Sequence, residues 1–452
     1  MVHQFFPHWQ SGTEVLTRDT AKKLIARGHD VEVWTGHHQP HPQGISYDCF
    51  EYEGIPVHRY YGSLEEEAVG VDRTRAEYEN RHFAEFFALH LQKRRPDVVH
   101  AFHLYRLSSS ALKAAHDRGI RTVYTPTDFW SVCPAIQLLL PDGRLCLGPA
   151  HNGLNCVEHM SGWKMPPYLK TWPSSVLRAG TRLLEFFRPK DRELCGRFRS
   201  LLKRMDHHRR QFACVDAILT PTRFLKRILV DNGIPSKGMS HQSFGINLDH
   251  IPLFDKNKKT SRLRVGFIGT LIQHKGPHVL IQAIKELPLD IPVEVQIYGR
   301  SSDVPEYSQS LRVLAGDDPR ISFCDTFPNH EIGNVLSRLD VLVAPSLWYE
   351  NSPLVVFSAQ ASKVPVIASD LGGLSEVISH QVNGLLFPAG DHRGLAQILL
   401  QVSQDPGLLS RLSQNAQRPK SMDRYVDELE EIYGKTLCKK EITHTNLKEE
   451  LC

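Results

Sequence analysis

Short apolar runs alternate along the chain with longer amphipathic ones, the pattern of a parallel sheet joined by crossover helices. In the first half VEVW (31–34), DVVHAF (97–102), TVYT (122–125) and AILT (217–220) read as strands. Residues 13–29 predict a helix, with Leu16, Ala21, Leu24 and Ile25 on one side and Gly28 as a left-handed end. The pattern restarts after about residue 260 with LRVGFIG (263–269), VEVQIYG (293–299), VLVAPS (341–346) and VPVIAS (364–369). GPHVLIQAIKEL (276–287) predicts a helix with Pro277 in its first turn. The polar stretch DKNKKTSR (255–262) joins the halves. Two successive doubly wound α/β units are therefore expected, residues 1–240 and 260–415, with a cleft between them. SMDRYVDELEEIYGKTL (421–437) is an amphipathic helix with Tyr425, Leu429, Ile432 and Tyr433 on one side, and 438–452 is expected to fray. Only Met1 to Phe6 are available for a first strand, so either that strand is very short or the given start lies downstream of the true one.

A chain of 452 residues exceeds one ordinary core, which fits two large domains, with or without an insert. With 41% hydrophobic and 23% charged residues the composition is that of a soluble globular protein, and a net charge of only +4 implies no general polyanion binder. No run of about 18 apolar residues occurs, which argues against a spanning helix. MVHQFFPHWQSGTE lacks the basic-then-apolar order of a signal peptide. Nine scattered cysteines suggest free thiols in a reducing compartment, with the cytoplasm as the expected location. One segment breaks the rhythm. Residues 162–212 hold thirteen Lys/Arg against four Asp/Glu, interleaved with Trp163, Tyr168, Trp172, Phe186 and Phe187. Such a run is either a solvated helical face or a docking surface for an anionic membrane or lipid-phosphate acceptor. No recognised nucleic-acid module surrounds it, so nucleic acid is not an expected partner.

Candidate chemistry sits at turns. In GFIGTLIQHKG (266–276), Gly269 permits close backbone approach and Lys275 stands where a helix begins; the site suits phosphate, or Lys275 is simply a surface lysine beside a turn. YENSPLVV (349–356) repeats this geometry, with Ser352 as a cap and Pro353 at the first helical position. Glu350 just ahead suits sugar hydroxyls better than phosphate, unless it is only an exposed acid near a cap. A third turn, PHWQSGTEV (7–15), offers Gly12 for close approach and Thr13 as a cap. His100 and His103 lie at the end of a strand, where an open α/β sheet faces its ligand. Separately, Cys133, Cys146, Cys156 and His159 form either a structural zinc set or buried free thiols.

Taken in order, GFIGTLIQHKG, YENSPLVV, PVIASDLGGLSEVI and NGLLFPAGD resemble the retaining glycosyltransferases of family 4. FFPHWQSGTEV, RGHDVEVWTG and PDVVHAFH extend the resemblance into the first half, over most of the chain except about 160–212. It implies the GT-B fold, two Rossmann-like domains facing across a cleft, with a basic insert at 160–212 and a helix over 416–437 that crosses back. It implies that Lys275 holds the diphosphate of a nucleotide-sugar donor and that Glu350 contacts the transferred sugar. Asn351, Ser352 and Leu354 match the helix start that meets the phosphates, Gly12 the glycine loop near the diphosphate, and His103 (with His100 as the alternative) the histidine near the reacting sugar. Gly269, Thr270 and Gly299 complete the expected donor-binding set. Thr270 stands where the family usually has a basic residue, and Ser358 where a second Glu grips the ribose. The resemblance further implies a glycan or lipid-linked acceptor and no cofactor for catalysis, while the basic, aromatic insert suggests peripheral attachment at the inner face of the cell membrane. A non-catalytic nucleotide-sugar binder and another GT-B activity remain the alternatives.

Overall fold

The computed structural model describes residues 1–4, 6–7, 12–37, 46–62, 73–161, 164, 176, 192–249, 251 and 261–449. The chain forms two compact units, Met1–Ser243 together with Asp423–Cys452, and Phe244–Met422. The first change of unit precedes the predicted polar link because Ile246 and Ile251 are already buried in the core of the second unit. Residues 255–260 of that link lie outside the described residues.

Among the described residues the first unit is built on eight strands: β1 (Val2–His3), β2 (Val33–His37), β3 (Tyr47–Tyr52), β4 (Ile55–Tyr61), β5 (Val98–His103), β6 (Arg121–Tyr124), β7 (Ala217–Thr220) and β8 (Met239–His241). Their order is β3-β4-β2-β1-β5-β6-β7-β8, parallel throughout except for the β3–β4 hairpin. The first strand is indeed very short, and it sits centrally, with Val2 opposite both Trp34 and Ala101. The hairpin turns through Glu53 and Gly54, both at positive φ, as a two-residue I′ connection requires. From Asp423 the helix Met422–Glu449 packs Tyr425, Val426 and Leu429 into this unit. It runs past the expected fraying point at 438, since neither Gly nor Pro interrupts the sequence after Gly434.

The predicted basic insert needs correction at its C-terminal end. Residues 162–163, 165–175 and 177–191 lie outside the described residues, but Arg192–Phe212 is a helix integrated into the first unit. Arg204 is buried against the Trp130 ring and donates to the Trp130 carbonyl, and His208 bonds the Ser131 carbonyl. Part of this basic run is therefore core, not a solvated face.

The second unit carries β9 (Leu263–Ile268), β10 (Val293–Tyr298), β11 (Ile321–Cys324), β12 (Val341–Ala344), β13 (Val366–Ser369) and β14 (Gly384–Phe387). All pairs are parallel, in the order β11-β10-β9-β12-β13-β14. Strand alternation feeds two cores: Val341, Val343 and Ile367 join one, and Leu342, Val366 and Ala368 the other. Helices therefore cover both faces, as continuous apolar strands demand. Among the described residues no helix is long and apolar enough to cross a membrane.

Candidate functional site

Strand order reverses between β9 and β12, and in such sheets ligands gather outside the carboxyl ends of the strands at the reversal. The loops that follow these two strands carry Lys275 and Glu350. After β9 the chain passes Gly269 and Thr270 into a single 3₁₀ turn, Gln273–Lys275, and then the helix Pro277–Glu286. Gly276 joins the two at φ +74°, and a Cβ there would lie 1.9 Å from the Pro345 carbonyl oxygen. Only glycine allows the two loops this close. The Leu347 N–H donates to the His274 carbonyl at 2.8 Å and fastens one loop to the other.

That contact places the Lys275 ammonium 2.7 Å from Glu350 Oε1. Ser346 Oγ and Trp348 Nε1 donate to the same oxygen at 2.7 and 3.0 Å. The Trp348 ring stands 5.3 Å from the ammonium and 4.7 Å from the His274 ring. Among the described residues Oε2 accepts no hydrogen bond, so one carboxylate oxygen stays open to a ligand. Glu350 is 6% exposed. Burial alone would push its carboxyl up, but the Lys275 charge and the bonds from Lys275, Ser346 and Trp348 hold it below the ordinary Glu range. His274 moves the other way: burial, then the neighbouring ammonium, lower it to about 4 against the opposing pull of Glu350.

The turn holding Glu350 is supported from below. Gly373 N–H donates to the Glu350 carbonyl at 2.8 Å, and a Cβ on Gly373 would come within 2.3 Å of the Asn351 carbonyl oxygen. The helix beyond is Leu354–Ala361, with Pro353, not Ser352, as its N-cap and no side-chain capping bond. The expected cap is thus one residue too early, because Pro353 itself is extended. Ser352 Oγ is buried without a partner among the described residues. Leu354 opens the helix as expected, and no side chain ties up the first-turn amides. Gly299 follows β10, where a Cβ would meet the Gly269 carbonyl oxygen at 2.3 Å; its part is close packing of the turn that holds Gly269. Thr270 is exposed beside it.

In the first unit strand order reverses between β1 and β5. His103 ends β5 and bonds Asp128 Oδ2 through Nε2 at 2.7 Å. His100 is committed elsewhere, with Nδ1 2.7 Å from the Tyr433 hydroxyl and Nε2 2.8 Å from Thr125 Oγ1. His100, with both ring nitrogens committed, is held neutral by burial, and His103 is kept as the candidate. Gly12 is the first residue of the helix Gly12–Ala26, so Thr13 lies inside the helix and is not its cap.

Residues 252–418 match the family model for "Glycosyl transferases group 1", and residues 11–239 match that for "Glycosyl transferase 4-like domain". The chain belongs to the group 1, family 4 glycosyltransferases. The chain is 35% identical over 158 residues to the D-inositol 3-phosphate glycosyltransferase of Corynebacterium efficiens, covering 34% of this chain and 37% of that protein. It is 29% identical over 202 residues to the amylovoran biosynthesis glycosyltransferase AmsK of Erwinia amylovora, covering 43% of this chain and 49% of that protein. The chain thus spans half or less of these curated relatives. Sucrose-phosphate synthase from Thermosynechococcus elongatus superposes with a TM-score of 0.65 at 16% identity, over 95% of this chain and 94% of that one. Anabaena Alr3699/HepE in complex with UDP and glucose superposes at 0.61 and 16% identity, over 95% and 97%. The two parallel-dominated sheets and these likenesses give the chain the two-domain, Rossmann-like GT-B fold.

Against the family pattern, Ser358 is 8% exposed and spends its hydroxyl proton on the Leu354 carbonyl at 3.1 Å. Among the described residues Cys133, Cys146, Cys156 and His159 form no set of ligand atoms that all lie within 4.8 Å of one another. Cys133 and Cys156 are buried free thiols, which burial pushes up, Cys156 to about 12; Cys146 Sγ accepts from the Gly148 N–H at 3.3 Å. Sequence reasoning missed Ser346, Trp348, Gly373 and Asp128. The first two flank Glu350 at four and two residues' distance, and a hydroxyl and an indole N–H so near an acid were the available signal. Nothing local marked Asp128.

Proposed function

We propose that this glycosyltransferase moves a sugar from a nucleotide-diphosphate donor to a glycan or lipid-linked acceptor, with retention of anomeric configuration and without a catalytic metal. The observation that carries this reading is the Lys275–Glu350 pair at the strand reversal of the second unit. Lys275 supplies positive charge to the departing diphosphate, and the uncapped start of the helix Leu354–Ala361 supplies N–H groups. Glu350 Oε2 is open to accept from hydroxyls of the transferred sugar. The bond from the anomeric carbon to the diphosphate oxygen breaks, the acceptor oxygen bonds to that carbon on the same face, and its proton passes to the departing phosphate. His103, positioned by Asp128, is the candidate contact to the reacting sugar. A UDP-sugar is the first donor to test, because Alr3699/HepE is described in complex with UDP and glucose. The basic, aromatic segment 162–191 is the part read as docking to an anionic membrane at its cytoplasmic face.

Release of nucleoside diphosphate from UDP-, GDP- and dTDP-sugars tests the reading. Lys275→Ala is expected to lower kcat/KM about a hundredfold, roughly 3 kcal/mol of transition-state stabilisation. Donor binding without turnover of any donor would favour the non-catalytic alternative. An inverted anomeric product would overturn retention, and loss of turnover in chelator would overturn metal independence.

A further inference from the structure

At the opposite end of β2 from its ligand-facing end, three side chains from different elements converge. Glu32 immediately precedes β2, His58 lies on β4, and His90 lies on the helix Arg81–Arg94. Their ligand atoms all lie within 4.8 Å of one another. His90 Nε2 is 3.1 Å and His58 Nε2 3.4 Å from the same oxygen, Glu32 Oε2. These separations match the edge of a tetrahedron around zinc, roughly 3.3 Å for bonds of about 2.0–2.1 Å. We propose that Glu32, His58 and His90 form a binding site for a divalent transition metal, zinc by preference, with one coordination position left to water.

The surroundings are those of a built site. Metal-binding imidazoles usually have their second nitrogen held by a polar partner, and His58 Nδ1 lies 2.5 Å from the Tyr47 hydroxyl and 3.1 Å from Cys49 Sγ. Trp34 stacks on the His58 ring, with centroids 4.9 Å apart and planes 8° from parallel, and meets the His90 ring edge-on at 4.5 Å. Both rings are therefore fixed by packing. Arg94 pairs with the other carboxylate oxygen, Glu32 Oε1. Two neutral imidazoles and one carboxylate are a ligand set that suits zinc, whereas magnesium and calcium favour all-oxygen sites. Bound metal would tie the hairpin β3–β4 and the helix Arg81–Arg94 to β2. This site is separate from Lys275 and Glu350 and from the cysteine set.

Metal analysis of the full chain after equilibration with zinc and desalting tests the proposal. One zinc per chain is expected in the wild type, and well under one in both His90→Gln and Glu32→Gln. Zinc should raise the melting temperature of the wild type and leave that of His90→Gln unchanged. Cobalt in place of zinc should give the visible absorption of a tetrahedral nitrogen-and-oxygen site. Tyr47→Phe should weaken binding about tenfold, as loss of an orienting partner does. A wild type that holds no zinc overturns the site, leaving the three residues as an ordinary carboxylate–histidine cluster. Full zinc retention by folded His90→Gln, or an intense thiolate-to-cobalt band, overturns it as well and moves the metal to cysteine.

Discussion

A buried carboxylate remains ionised only when something compensates its lost hydration, and Glu350 depends on Lys275 for that. One interaction therefore both holds the folded loops together and keeps a charged pair at the proposed donor site. His274, next in sequence, is placed to report on it. Its folded-state value of about 4 lies below the roughly 6.5 of an unfolded histidine. Between those values the unfolded chain binds more protons, so this group removes stability as pH falls from about 6.5 towards 4. His274→Gln should abolish that contribution, about 1–2 kcal/mol once partial exposure of the imidazole is discounted. Urea unfolding at pH 7 and pH 5 measures it; an unchanged difference between the two would contradict the assignment. Glu350 acts in a lower window, because its depressed value stabilises the fold above the ordinary Glu range and loses that contribution on further acidification. Ser358 offers a contrasting expectation. With its proton spent on the Leu354 carbonyl, Ser358→Ala should leave KM for the donor within about twofold, while Ser358→Glu should lower KM and leave kcat nearly unchanged. A large rise in KM in the alanine variant would show that the serine itself grips the nucleotide.

At the scale of elements, the loops after β9 and β12 owe their approach to backbone, not side chains. Gly276→Ala would combine a positive-φ penalty with a Cβ 1.9 Å from the Pro345 carbonyl oxygen. We expect a loss of about 3 kcal/mol or more, together with loss of donor turnover as Lys275 moves away from Glu350; a variant with near-wild-type melting and turnover would refute this. The same scale explains what was legible beforehand. Strands such as β7 and β10, and the helix Pro277–Glu286, follow clear apolar periods and appear where expected. The hairpin β3–β4 escaped because it alternates aromatic and charged residues at a half-exposed edge, and only Glu53-Gly54 hinted at its turn. The strand β1 has two residues and is specified by its neighbours, a non-local fact. Lys275 and Glu350 were legible as separate turn residues, but the pairing across 75 positions and the donors on Oε1 depend on packing of the two loops. The charge of Arg204 suggested a surface, yet the Trp130 ring and carbonyl hold it inside.

For the molecule as a whole, the C-terminal helix completes the first unit. Its exposed ion pairs, Arg27 with Asp427 and Glu430 and Lys23 with Asp423, join it to the helix Gly12–Ala26 and its end. Exposed pairs of this kind contribute about 1 kcal/mol or less each, so Arg27→Ala should lower stability only slightly. Burial contributes more. Tyr425, Val426 and Leu429 are at most 1% exposed, and each such side chain is worth about 1.5–3 kcal/mol. Tyr433 also satisfies His100 Nδ1, which its removal would leave buried without that partner. Together these contributions rival the whole stability of a typical domain, about 5–15 kcal/mol. A chain ending at Ser421 should therefore fail to fold its first unit, although the missing helix follows every strand of both sheets. A chain ending at Leu437 retains all of these contacts and should melt within a few degrees of the full protein. Thermal unfolding and size-exclusion chromatography of the two truncations separate the outcomes: equal, near-wild-type melting of both would mean that the first unit is complete without the helix.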